Sequence, residues 1–157
     1  MEAKFLREAI RLSLDKLDLN EGGPFGAVVV KGDRVVGVGW NRVTSRECPD
    51  ATAHAEIVAI RDACRTLGTF KLDGCVIYVS CEPCPMCQAA IRWARLDECH
   101  FAATREDAAA AGFDDAAIAA ELGPEMPRQA PTCDQAIRRE ALAAFDAWRQ
   151  KQDRCPY

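Results

Sequence analysis

The spacing of hydrophobic residues predicts a helix followed by a β-hairpin in the first quarter of the chain. Leu6, Ile10, Leu14 and Leu17 recur at helical spacing, up to a Gly-Gly-Pro break at residues 22–24. Residues 25–30 and 35–40 are two short apolar runs rich in β-branched side chains. The Lys-Gly-Asp sequence between them is typical of a turn, so the two runs are predicted to pair.

Strand and helix alternate after the hairpin. One helix face is predicted from Ala53, Ile57, Ile60, Cys64 and Leu67, and Gly68 is predicted to end that helix. Residues 75–80 and 99–103 are predicted strands, with a helix from Pro85 through Arg95 between them. A last amphipathic helix follows Thr132, a candidate N-cap. This order favours a single α/β domain over residues 1–157, with parallel strands covered by helices on both faces.

Composition narrows the class of protein. The chain has 157 residues, 49% of them hydrophobic and 28% charged, as in ordinary globular domains. No apolar run reaches the roughly 18 residues of a membrane span, and the charged start predicts no signal peptide. The nine cysteines lie within predicted helices and strands, which favours free thiols in the cytoplasm. A net charge of −4 argues against a nucleic-acid partner.

Candidate chemistry is concentrated in His54-Ala55-Glu56 and, downstream, in Cys84-Pro85-Met86-Cys87. Imidazole nitrogen and thiolate sulfur are zinc ligands, and both segments are predicted to begin helices. His54, Cys84 and Cys87 would leave a fourth position on Zn²⁺ for water, the catalytic rather than the structural arrangement. Glu56 could then take a proton from that water and pass it on.

Other interpretations of the cysteines stay open at this point. A lone C-x-x-C is more often a redox pair or a structural zinc site. Cys81 lies three residues before Cys84 and could close the site as a fourth thiolate, although Pro83 redirects the chain between them.

The H-x-E and P-C-x-x-C motifs resemble those of zinc deaminases, and the chain is similar to the cytidine deaminase-like superfamily over essentially its whole length. The resemblance implies a three-layer α/β/α fold with a central mixed sheet of about five strands. It also implies hydrolytic removal of an amino group from a nucleobase, with one Zn²⁺ per chain. Phe25 and Asn41 belong to further matching segments, at residues 24–27 and 39–42.

Within the superfamily, residues 91–95, residues 111–115 and the final Tyr157 resemble bacterial guanine deaminases. This implies deamination of guanine to xanthine and ammonia in purine catabolism. Phe25 and Trp93 would wall a flat pocket, Asn41 would bond the purine edge, and Asp115 would assist catalysis at the amino group. A C-terminal segment ending in Tyr157 would close over the pocket, exchanged between the subunits of a homodimer.

Each of these residues also has an ordinary structural interpretation. Trp93 and Phe25 could be core residues, Asn41 a turn residue, and Asp115 an acid attracted by a helix dipole. The competing functions are a tRNA adenosine deaminase, a deaminase of another amino-heterocycle, and a non-catalytic zinc-binding module.

Overall fold

Six α-helices, one short 3₁₀-helix (Leu17–Leu19) and four strands lie in residues 1–122 and 132–154, the parts of the chain that the computed structural model describes. The helices are α1 (Ala3–Asp15), α2 (Ala55–Leu67), α3 (Pro85–Trp93), α4 (Arg105–Ala110), α5 (Ala116–Leu122) and α6 (Gln135–Gln150). The strands are β1 (Gly26–Lys31), β2 (Arg34–Trp40), β3 (Cys75–Cys81) and β4 (Glu98–Ala103). Within these ranges, no helix combines the length and apolar character that crossing a membrane requires.

The strands form one mixed sheet in the order β2-β1-β3-β4. β1 pairs antiparallel with β2, as the predicted hairpin requires, and antiparallel with β3 on its other side. β3 and β4 are parallel, and α3 lies between them in the sequence. The predicted combination of a hairpin and parallel strands is therefore confirmed.

Helices cover both faces of the sheet and bury a separate core on each. On one face, Leu6 of α1 and Phe145 of α6 pack with Val28 and Tyr78. On the other face, the alanines of α2 and Ile91 of α3 pack with the alternate residues of the same strands, such as Val29. Because successive residues of a strand point to opposite faces, one strand can supply both cores. The three-layer α/β/α architecture is confirmed.

The sheet has four strands in the described ranges, one fewer than expected. After β4 the described chain forms only helices, α4, α5 and α6. The sequence between residues 105 and 122 is rich in alanine, the residue with the highest helix propensity.

Three predicted boundaries are wrong. α1 ends at Asp15 rather than near the Gly-Gly-Pro break, and Leu17 begins a separate 3₁₀-helix. The N-cap of α6 is Asp134, whose Oδ1 accepts hydrogen bonds from Ala136 and Ile137 N–H, both at 2.9 Å. Thr132 instead receives the Phe101 N–H at its Oγ1, at 2.8 Å, and so ties the chain to β4. α3 ends at Trp93, not at Arg95, because Arg95 has a left-handed backbone with φ of 63°.

The start of α2 lies very close to β2. Any side chain on Gly39 would overlap the carbonyl oxygen of Ala55 and the backbone nitrogen of Ala59. Gly37, two residues earlier on the same face of β2, is equally close to Ala59 and Ala63. Glycine at both positions therefore lets α2 lie directly on the strand, with its first turn at the end of the sheet.

Candidate active site

The predicted metal ligands come from the first residues of two helices. His54 is the N-cap of α2 and Cys84 is the N-cap of α3, both in extended conformation. Pro85 occupies the first turn of α3, where its missing N–H has no intrahelical partner in any case. Cys87 lies three residues after Cys84, so the two sulfurs face the same side of that turn.

These three side chains converge on one point. His54 Nδ1 lies 3.6 Å from the Sγ of Cys84 and 3.6 Å from the Sγ of Cys87. All three ligand atoms lie within 4.8 Å of one another. Zinc binds nitrogen and sulfur at about 2.0–2.3 Å, and two corners of a tetrahedron of that size lie about 3.5 Å apart. The spacing of the three atoms therefore fits a tetrahedral zinc ion.

The charge of the two cysteines also suits a cation. Hydrogen bonds from Cys87 and His54 lower the pKa of Cys84 to about 4, against the effect of burial. The adjacent Cys84 thiolate and burial raise the pKa of Cys87. A divalent cation removes this conflict because it stabilises both thiolates at once.

Cys81 does not belong to this group. Its Sγ donates a hydrogen bond to the carbonyl oxygen of Thr104 at 3.3 Å. Burial raises the pKa of the Cys81 thiol well above its ordinary value, which keeps it neutral. Within the described residues the ligand group comprises three side chains, so a fourth position remains for water, as in catalytic zinc sites.

Glu56 lies in the first turn of α2, beside the ligands. Its side chain is buried, and burial raises its pKa to about 7. A carboxyl group with a pKa near neutrality can both accept and release a proton at physiological pH. This is the property that a proton shuttle needs.

A cavity of about 200 Å³ opens onto this group. It is lined by six of the residues predicted from the sequence: Phe25, Asn41, His54, Glu56, Cys84 and Asp115. A cavity of about 150 Å³ already holds one benzene ring, so this space suits a small planar heterocycle. The cavity therefore brings predicted metal ligands, acids and substrate contacts together. The ring of Phe25 packs edge-to-face against that of Phe113, with the ring centroids 4.9 Å apart.

The Asn41 side chain is fixed in one orientation. It is buried, and its Oδ1 accepts the backbone N–H of Val43 at 3.2 Å. The neighbouring Gly22 has no room for a side chain because the Asn41 amide occupies that space. The amide nitrogen of Asn41 is therefore the group that can donate a hydrogen bond to a ligand in the cavity.

Asp114 and Asp115 differ in their contacts. Asp114 is exposed, and its Oδ1 accepts the N–H of Ala116 at the start of α5. Asp115 is half-buried and forms an ion pair with Arg105, whose Nη2 lies 2.7 Å from Asp115 Oδ1. Both aspartates line the cavity, but only Asp115 is held there by another charged side chain.

Trp93 and Tyr157 are not brought to this cavity. Trp93 is the last residue of α3 and is 77% exposed. α3 begins at the metal ligands, and eight residues of helix carry Trp93 about 12 Å away from them. Trp93 therefore does not line the described cavity of a single chain, and its role as a pocket wall stays a prediction. Tyr157 lies outside the described residues.

Two residues that line the cavity were not predicted as site residues from the sequence. Arg105 was not singled out at all, and Phe113 was noted only as part of residues 111–115. Arg105 follows β4 by two residues. The carboxyl ends of parallel strands meet at one edge of a sheet, and β3 ends three residues before the first cysteine ligand. That shared edge was the signal for Arg105 in the sequence.

Comparison with known proteins identifies the class of site. Residues 1–103 match the family described as the cytidine and deoxycytidylate deaminase zinc-binding region. Guanine deaminase of Bacillus subtilis (strain 168) is 44% identical over 153 residues, which cover 98% of this chain and 97% of that enzyme. The tRNA-specific adenosine deaminase of Aquifex aeolicus is 40% identical over 99 residues, which cover 63% of this chain and 64% of that protein.

Solved structures agree with the sequence matches. The X-ray structure of Bacillus subtilis guanine deaminase aligns with a TM-score of 0.74, covering 100% of this chain and 99% of that one, at 44% identity. Guanine deaminase from Nitrosomonas europaea aligns with a TM-score of 0.72, covering 94% and 84%, at 26% identity. With three zinc-spaced ligands, a buried glutamate and these matches, the chain belongs to the cytidine and deoxycytidylate deaminase family of zinc-binding enzymes.

Proposed function

We propose that this protein hydrolyses guanine to xanthine and ammonia. The observation that carries the proposal is the arrangement of His54, Cys84 and Cys87 beside buried Glu56, in a cavity lined by Phe25. The match to a guanine deaminase over nearly the full length of both chains supports guanine as the substrate. The matches to tRNA deaminases cover a smaller share of the chain.

In this reaction a C–O bond forms at the carbon that carries the amino group, and its C–N bond breaks. A zinc ion held by His54, Cys84 and Cys87 would supply Lewis-acid activation of the attacking water. Glu56 takes a proton from that water and delivers it to the departing amine, which leaves as ammonia. The buried position of Glu56 excludes bulk solvent from this transfer.

The other cavity residues hold the base. Phe25 and Phe113 offer apolar ring surface against which a planar purine packs. The amide nitrogen of Asn41 donates a hydrogen bond to a ring nitrogen of the purine. A buried donor of this kind discriminates against bases that lack an acceptor at the same place, because the amide would then be left unpaired.

Asp115 accepts a hydrogen bond from the exocyclic amine. Its carboxylate lines the same cavity as the metal ligands and is the better placed of the two adjacent aspartates. A carboxylate at this position would favour an amino group over a carbonyl oxygen. Substrate binding and product release would therefore both depend on it.

Substituting the two aspartates separates their roles. We expect Asp115→Asn to lower kcat/KM for guanine by about 10²-fold, within the range for removing a positioned acid–base group. Asp114→Asn is expected to change it by less than about threefold, because the amide still caps α5. Steady-state kinetics on both variants measures the difference. Equal losses would mean that both aspartates act only through the start of α5.

The function itself is tested with a substrate panel on the purified zinc-loaded protein. Guanine, adenine, cytosine, an aminopterin and an aminotriazine are each followed by ammonia release, and xanthine is identified as the product of guanine. A tRNA anticodon hairpin is followed in parallel for conversion of adenosine to inosine. Guanine is expected to give the highest kcat/KM. Inosine formation without xanthine formation would replace guanine deamination with the tRNA activity.

We further propose a single domain over residues 1–157 that forms a homodimer, with the segment ending at Tyr157 closing over the cavity of the partner. Ile118 lines the cavity and is 57% exposed, and Leu122 on the same helix is 64% exposed, so apolar surface at this mouth is available for a covering segment.

Deleting residues 155–157 tests this closure. We expect a drop of at least about tenfold in kcat/KM, since an open pocket aligns its substrate less well, with an unchanged melting temperature. Sedimentation of the full chain is expected to give the mass of a dimer. A monomeric full-length protein, or unchanged kinetics after the deletion, would refute the exchange of this segment.

We place the enzyme in the cytoplasm on the state of its cysteines. The eight cysteines in the described ranges are free thiols. Free thiols in this number are usual where glutathione and thioredoxin keep proteins reduced.

A further inference from the structure

We propose that Arg105 is a positioning residue for deamination, which holds the Asp115 carboxylate at the amino group of the substrate. The inference rests on the proposed function and deepens it, since it names the group that orients Asp115. It starts from the contacts of Arg105, which lines the cavity with Asp115.

Two nitrogen atoms of Arg105 donate hydrogen bonds to a single oxygen of Asp115. Arg105 Nε lies 2.9 Å and Arg105 Nη2 lies 2.7 Å from the same oxygen, Asp115 Oδ1. Two donors from one planar guanidinium on one acceptor atom hold that oxygen of the carboxylate in place. Asp115 Oδ2 takes no part in these two contacts, and we assign it to the amino group of the substrate.

The arginine is itself anchored to the metal-binding segment. Arg105 is the first residue of α4, whose N-cap Thr104 forms a capping box with Asp107. The backbone N–H of Arg105 donates to Glu82 Oε2 at 3.2 Å. Glu82 precedes the metal ligand Cys84 by two residues. A continuous chain of contacts therefore runs from the metal-binding segment through Arg105 to Asp115.

Because it is partly buried, this ion pair is stronger than a pair on the surface. The side chains of Arg105 and Asp115 are 14% and 22% exposed, whereas exposed pairs such as Arg11–Asp15 are 64% and 50% exposed. Solvent screens a partly buried pair less and its side chains sample fewer conformations. The carboxylate is thus preorganised before the substrate arrives, which is how an enzyme avoids reorientation during the reaction.

Replacing the arginine tests this role. Arg105→Met keeps the aliphatic stem but removes both donors, and kcat for guanine is expected to fall by about 10²-fold, the cost of misplacing a catalytic group by about 1 Å. Arg105→Lys keeps the charge but offers no planar fork, so we expect an intermediate kcat. In an Asp115→Asn background, adding Arg105→Met should lower kcat by less than about a further threefold, because the two residues act as one unit.

A second readout excludes a merely structural effect. Millimolar guanidinium is expected to restore part of the kcat of Arg105→Ala, with an equal concentration of sodium chloride as the control. The matched control variant is Arg138→Met. Arg138 lies on α6 and binds Asp107 of α4, the helix that begins with Arg105. Its Nε lies 3.0 Å from Asp107 Oδ2, and neither Arg138 nor Asp107 lines the cavity. That variant should lose thermal stability yet keep kcat within about twofold.

The inference fails if Arg105→Met keeps the wild-type kcat, or if its loss multiplies with that of Asp115→Asn as for independent sites. It also fails if guanidinium restores nothing while Arg138→Met loses as much activity as Arg105→Met. A wild-type enzyme that releases no xanthine would instead overturn the proposed function, and the substrate panel detects that case separately.

Discussion

Glu56→Gln is expected to lower kcat for guanine by about 10²–10⁴-fold, the range for losing a general acid–base group. Glutamine has the shape of glutamate but cannot carry a proton between the water and the departing amine. Because Glu56 is buried beside the ligands without being one of them, the variant should keep its zinc and its fold. Steady-state kinetics, zinc content and melting temperature measure the three quantities.

The matched control is Glu140→Gln. Glu140 is an exposed acid that pairs with Arg7 at 3.0 Å, on the surface between α6 and α1. Its substitution should leave kcat unchanged, since exposed pairs contribute little. If Glu56→Gln turned over guanine at a rate near that of Glu140→Gln, the proton transfer would have to be assigned to another group.

Cys87→Ala is expected to abolish both zinc binding and activity. Two remaining ligands do not hold zinc in competition with water, and a catalytic site needs three from the protein. Zinc per chain, measured by atomic emission, should fall from one to below about one tenth.

Cys81→Ala is the control for that experiment. Cys81 is buried, as Cys87 is, and it lines the cavity, but its sulfur bonds a carbonyl oxygen. We expect this variant to keep one zinc per chain, with a stability loss of about 1 kcal/mol from the small cavity. Loss of zinc on Cys81→Ala would mean that its sulfur takes part in the metal site.

The sequence alone predicted that His54, Cys84 and Cys87 form a zinc site with Glu56 beside it, because the signals for these positions are local. Each ligand lies at a helix start marked by short-range signals, such as Pro85 after Cys84. The hairpin and the parallel strands followed from apolar runs with turn residues between them. These features depend on neighbours in the chain, which a single sequence displays directly.

Features that depend on distant contacts were not predictable. The Arg105–Asp115 pair joins the first residue of α4 to a residue beyond the end of that helix, and no spacing rule makes them partners. Trp93 looked like a pocket residue within its motif, but the direction of α3 carries it away from the ligands. Thr132 has the residue type of an N-cap, yet its hydroxyl bonds β4 and Asp134 caps α6. In each case a tertiary contact outweighed the local preference.

The two glycines of β2 give the metal centre a dependence on residues that never approach the ion. α2 carries both an imidazole ligand and the proton-carrying glutamate, and its distance from the strand is set by the hydrogen atoms of Gly37 and Gly39. A single added methyl group there would lift the helix and spread the ligand triangle. Zinc affinity is thus partly a property of a helix–strand interface, and selection for tight metal binding acts on that interface as well as on the coordinating side chains.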